Sequence, residues 1–88
     1  MHFIFTECKC NTIGTKSGSN NCNKDNGFCN ANNQPGCKRG YTGNYCKSCD
    51  SRSGYGTSGN TCDACIDEFF NSGHSDGRPN CTGICSFA

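Results

Sequence analysis

The sequence predicts a small disulfide-rich fold of short two-stranded β-ribbons and long turns, with little or no helix. Three observations carry that prediction. Eleven of the 88 residues are cysteine, above the roughly 8–10% that marks a disulfide scaffold in a short chain. The other apolar residues number only seventeen, with no Leu, Val or Trp among them. No window holds a sustained 3.6-residue apolar period, so long helices are not expected. Ordering each residue costs about 1.5 kcal/mol, while burying a large side chain returns roughly 1.5–3 kcal/mol. A hydrophobic core alone would leave this chain unfolded. That arithmetic excludes an ordinary α/β enzyme, a helix bundle and a membrane-spanning protein.

Charge narrows the partners. The net charge is +1 and only 17% of residues are charged. No basic patch is available to release counterions from a phosphate backbone, so nucleic acid is not an expected partner. Eleven cysteines place the chain in an oxidising compartment unless a metal holds them.

The first segment, residues 1–7, contains the apolar run Phe3-Ile4-Phe5. It is shorter than the apolar stretch of a secretory signal and has no basic flank, so either the sequence is a piece of a longer secreted chain or its export signal lies outside it. Phe3 and Phe5 are candidates for a buried local plug or for contact with a partner.

From Cys8 onward the chain is organised by cysteines separated by Gly, Asn and Ser. Stretches such as Gly14-Thr15-Lys16-Ser17-Gly18-Ser19-Asn20-Asn21 favour turns, because Gly supplies positive φ and Asn tolerates it. Asn26-Gly27 and Asp76-Gly77 are hairpin-type dipeptides.

The segment Cys37-Lys38-Arg39-Gly40-Tyr41-Thr42-Gly43-Asn44-Tyr45-Cys46 is the most specific in the chain. Two glycines three apart allow a tight double turn, and the aromatic between them covers a disulfide. It resembles the last loop of EGF-like domains. Extended through Cys8-x-Cys10-Asn11, Cys22…Gly27-Phe28-Cys29 and Cys46-x2-Cys49…Gly54-Tyr55-Gly56…Cys62, residues 8–62 resemble the eight-cysteine laminin-type EGF module. The expected architecture is then an EGF/laminin-like rod. The family normally has one residue between its fourth and fifth cysteines, whereas seven separate Cys29 from Cys37. A polar insertion of that length is tolerable in a surface loop. The pairing that the resemblance implies is Cys8–Cys22, Cys10–Cys29, Cys37–Cys46 and Cys49–Cys62.

Residues 63–88 read as a partial second cysteine-loop repeat. The loops opened by Cys49 and Cys65 each place aromatics midway, then Ser-Gly, then Asn near a closing cysteine. Cys65–Cys81 is therefore expected as a further copy of the loop before it. Cys85 is left over, unpaired or bonded to another chain, as an odd cysteine in a secreted protein suggests.

The same residues carry the letters of other chemistries. Cys46-x2-Cys49, twelve residues and Cys62-x2-Cys65 have the spacing of a four-cysteine zinc site. Seven flanking cysteines favour disulfides over that zinc alternative. Ser72, His74 and Asp76 contain the letters of a catalytic triad in a polar loop, but no rigid scaffold is legible around them. The Cys-x2-Cys pairs lack the βαβ context of a redox motif. Calcium is not expected, because only Glu7 stands before the first cysteine and a hard cation needs several oxygen ligands. Asn80-Cys81-Thr82 forms an N-glycosylation acceptor at Asn80. Thr42 holds the position where the resemblance implies an O-linked sugar.

The functional expectation is a secreted, non-enzymatic structural or interaction module of a matrix or filament-forming protein, with no cofactor and no metal. Expected partners are other protein chains, by self-association or through neighbouring EGF-like modules, with glycans as a further possibility. Phe28, Tyr41, Tyr45, Tyr55, Phe69 and Phe70 are candidates for such contacts, since aromatic anchors dominate interface energetics, and half of them are expected only to cover disulfides. The alternative is a secreted signalling ligand of the pheromone type.

Overall fold

The computed structural model describes residues 8–23, 25–30 and 36–83. Phe3, Phe5, Glu7, most of the insertion between Cys29 and Cys37, and Cys85 lie outside the described residues.

Among the described residues, the named strands form three antiparallel two-stranded ribbons in chain order. Strand β1 (Tyr41–Thr42) pairs with β2 (Ser48–Cys49), β3 (Tyr55–Ser58) with β4 (Thr61–Cys65), and β5 (Phe69–Ser75) with β6 (Arg78–Gly83). One 3-10 turn, Ser51–Ser53, is the helical content among these residues. The fold is small and disulfide-rich, as the composition predicts, and EGF/laminin-like, as the resemblance of residues 8–62 implies.

Local chemistry sets the ribbons. Strands β5 and β6 are joined by Asp76-Gly77, with φ of 57° and 73°. Positive φ at both central residues is the primed hairpin turn whose twist matches paired strands. Gly59-Asn60 joins β3 to β4, with Gly59 at φ 65°. Asn26-Gly27 lies in a tight closure in which the Asn23 N–H donates to the Phe28 carbonyl at 2.9 Å.

Sulfur fills the interior. The buried apolar residues are Cys10, Cys22, Cys29, Cys46 and Cys62, together with Tyr41 and Tyr55. Thr15 is buried with them, and its hydroxyl donates to the Ser19 carbonyl at 2.9 Å. Five disulfides crosslink the described residues: Cys8–Cys22, Cys10–Cys29, Cys37–Cys46, Cys49–Cys62 and Cys65–Cys81. Their sequence separations run from 9 to 19 residues. On chain-entropy grounds, a loop of that size narrows the unfolded ensemble by about 3 kcal/mol. Several such bridges offset the missing core.

Candidate functional site

Three successive cysteine loops are seated on one another by the same set of contacts. The residue after each opening cysteine donates its N–H to a glycine carbonyl of the preceding loop. These bonds are Lys38 to Gly14 at 2.7 Å, Asp50 to Gly40 at 2.8 Å and Ile66 to Gly54 at 2.8 Å. That residue's own carbonyl then accepts the N–H of an aromatic, Tyr41, Tyr55 or Phe69, at 3.0 to 3.1 Å. Each aromatic ring lies directly on the glycine that its loop has engaged. A Cβ at Gly40 would come within 2.8 Å of the Tyr55 ring, and a Cβ at Gly14 or Gly54 would overlap Tyr41 or Phe69 outright. Glycine is required here by close approach, not only by turning.

The two tyrosines carry the linkage further. The Cys62 N–H donates to the Tyr41 hydroxyl at 3.0 Å, and the Cys81 N–H to the Tyr55 hydroxyl at 3.2 Å. Each phenol thus caps the closing cysteine of the next loop. The Tyr55 hydroxyl also donates to the Pro79 carbonyl at 3.4 Å. Register repeats as well: Tyr41 lies opposite Cys49 and Tyr55 opposite Cys65, whereas Phe69 lies opposite Gly83.

Two arginines hold the β5–β6 hairpin against the earlier loops. The Arg39 guanidinium donates to the carbonyls of Ser75 (3.0 Å), Arg78 (3.2 Å) and Pro79 (3.4 Å). Arg78 pairs with Asp63 at 3.0 Å and donates to the Cys62 carbonyl at 3.2 Å. Its guanidinium carbon also lies 4.9 Å from the centroid of the Tyr41 ring. A half-buried cation over an aromatic face is favourable by about 0.5–1 kcal/mol or more.

Folding the hairpin back in this way leaves an open cleft of about 820 Å³ at its tip. Ile13, Lys16, Lys38, Arg39 and Arg78 line it, with Asp63 and Asp76 among them and Tyr41 at its base. Lys16 and Lys38 arrive from two segments joined through the Thr15–Cys37 bridge. Residues 13–16, 37–41, 61–63 and 76–78 are distant in sequence, so no local motif announced this site.

Two of the candidate contact residues are buried. Tyr41 is 5% exposed and Tyr55 3%. They are interior fasteners between loops rather than surface anchors, because their hydroxyls satisfy amides that would otherwise be buried unpaired. Tyr45 is half-buried and meets Phe28 edge-on, with ring centroids 6.1 Å apart. Phe69 is half-buried on Gly54, while Phe70 is 48% exposed.

The remaining candidates fall as follows. Thr42 lies half-buried in β1. Asn80 lies half-buried in β6, its amide donating to the Ser75 hydroxyl at 3.0 Å. The Ser72 hydroxyl is 2.7 Å from that of Thr82 and donates to the Asn80 carbonyl, so it is engaged across the hairpin and not with His74. Cys46, Cys49, Cys62 and Cys65 are divided among three disulfides. Among the described residues, no group of three or more His, Cys, Asp or Glu is placed to hold a metal. Among the same residues no helix is long and apolar enough to cross a membrane.

A family model described as the laminin EGF domain matches residues 8–55, more than half of the chain. No curated protein and no solved structure matches.

Proposed function

The chain belongs to the laminin EGF domain family, and from that premise we propose that it is a non-enzymatic structural and interaction module of a secreted, matrix or filament-forming protein. The observation that carries this reading is the use of cysteine: all ten described cysteines are joined in disulfides, and five of them are among the seven buried apolar residues described. Such a framework persists in oxidising compartments and is lost where glutathione keeps thiols reduced. Because bridges and loop-to-loop seating fix the shape, most side chains are left on the surface for contact.

The zinc alternative has little support, since a bridged sulfur offers no thiolate to a metal. The contacts of Ser72 likewise give no support to a triad. Residues 63–83 are proposed to belong to the same folded unit as residues 8–62, because Arg39, Tyr41 and Tyr55 all bond or stack onto residues of the later segment. Glycans are proposed at Asn80 and Thr42, on the acceptor sequence and the family resemblance respectively.

Production through an oxidising secretory route, followed by intact-mass measurement before and after reduction and by metal analysis, tests the reading. The expected result is a zinc-free chain that gains two hydrogens per bridge for at least five bridges, and that stays unfolded when made in a reducing cytosol. A chain that folds reduced with bound zinc would overturn it. Enzymatic removal of N-glycan from secreted material reads occupancy at Asn80.

A further inference from the structure

The cleft at the hairpin tip and the turn between β4 and β5 are complementary in charge and in apolar character. At the cleft, no polar partner is seen for the Lys16 and Lys38 side chains among the described residues, and Arg39 adds a third cation. Arg78 and Asp63 are paired with each other, which leaves Asp76 as the opposing carboxylate. Ile13, 36% exposed, adds an apolar edge. An occupant of this cleft should carry two adjacent carboxylates and an apolar side chain. Three cations with a carboxylate among them are too few and too mixed for a polyanionic sugar, whose capture rests on dense arrays of like charge.

This chain carries such a segment itself. Asp67 and Glu68 are both exposed in the turn that leads into β5, and Phe70, two residues on, is the most exposed large apolar residue described. Strand β5 separates the two features: the acidic turn precedes Phe69, and the cleft-lining Asp76-Gly77 turn follows Ser75. At about 3.4 Å per residue the separation is roughly 20 Å. Asp67, Glu68 and Phe70 are not among the residues that line the cleft of their own copy.

We infer that the cleft formed by Ile13, Lys16, Lys38 and Arg39 docks the Asp67-Glu68…Phe70 turn of a second copy. This rests on the reading of the chain as an interaction module. The contact uses different surfaces on the two copies, so it is head-to-tail and does not close on itself. Such contacts repeat into open chains of subunits. The docked segment is short, so each contact is weak and falls in the class of small transient interfaces. It weakens with salt, since the facing charges are at the surface.

Sedimentation velocity of the intact oxidised chain over a wide concentration range, at low and high salt, tests this. Two charge-reversed variants are compared: Lys16→Glu with Lys38→Glu, and Asp67→Lys with Glu68→Lys. All four positions are outside the buried sulfur interior, and intact mass confirms that each variant keeps its bridges. The expected result is concentration-dependent association of the native chain that either variant alone weakens by roughly tenfold or more. An equimolar mixture of the two variants regains it, because each cleft then meets a turn of opposite charge. Association that persists undiminished in both variants would overturn this docking while leaving the interaction-module reading intact. A native chain that stays a single species at every concentration, or a mixture as inert as its components, would also overturn it. Bridge count and export then judge the broader reading separately.

Discussion

The hydroxyl oxygen of Tyr41 lies 3.0 Å from the backbone nitrogen of Cys62 and accepts its hydrogen bond. The bond spans 21 residues and joins two separate disulfide loops. Both groups are buried. Water is therefore not available as a substitute partner, and the pair holds the second loop in place over the first.

Replacing Tyr41 by Phe keeps the ring on Gly14 and removes the acceptor. Leaving a buried N–H unsatisfied costs about 1–3 kcal/mol. Denaturant unfolding with the disulfides intact is expected to show a loss in that range. Tyr55→Phe is expected to behave alike through Cys81. An unchanged midpoint in both would show that these bonds carry no stability.

Gly40 and Gly18 both have positive φ, at 94° and 67°. Only Gly40 faces an aromatic ring, while nothing lies within 4 Å of a Cβ built at Gly18. Alanine at either site carries the left-handed backbone penalty of roughly 1–2 kcal/mol. Gly40→Ala is expected to lose about 1–3 kcal/mol more through overpacking against Tyr55. Thermal unfolding of the pair separates close approach from backbone strain, and equal losses would remove the seating role of Gly40.

Arg78 combines the Asp63 ion pair, the Cys62 carbonyl and the Tyr41 ring. Arg78→Ala is expected to destabilise by about 1–2 kcal/mol, the sum of modest exposed and half-buried terms. Asp63→Asn removes only the exposed ion pair and is expected to cost below about 1 kcal/mol. Denaturation midpoints check both, and a larger loss from Asp63→Asn would reverse this assignment.

Bridge deletions are expected to differ by location. Cys65→Ser with Cys81→Ser removes about 3 kcal/mol of loop restriction, and hydrogen exchange should rise in residues 63–83 while the earlier loops stay protected. Cys37→Ser with Cys46→Ser removes the fully buried Cys46, whose carbonyl also accepts from the Asn11 amide at 3.1 Å. That change is expected to expose every loop at once. Equal, local effects from the two deletions would argue against a shared interior.

Much of the fold was legible because its causes are local or compositional. Cysteine density and the absence of helical periodicity predicted ribbons and turns, and Asp76-Gly77 marked a hairpin by its own backbone preference. The interior was harder to read. Gly40-Tyr41 and Gly54-Tyr55 read as turn glycines beside an aromatic that covers a disulfide or faces a partner, yet each glycine seats a ring from 15 residues downstream. In so polar a chain no hydrophobic contrast separates inward from outward aromatics. The cleft was invisible for the same reason, since it forms only when the hairpin folds back onto Arg39.

Glu68 occupies the place, just before the aromatic, that Gly40 and Gly54 hold in the earlier loops, and Phe69 brings no hydroxyl. A fourth loop would find neither a bare backbone to rest on nor an oxygen to cap its closing amide. The seating contact made at Gly14, Gly40 and Gly54 is thus not offered in the same form at Glu68. Any further contact at this end of the described residues must therefore be made by side chains, with charge and an exposed ring in place of bare backbone.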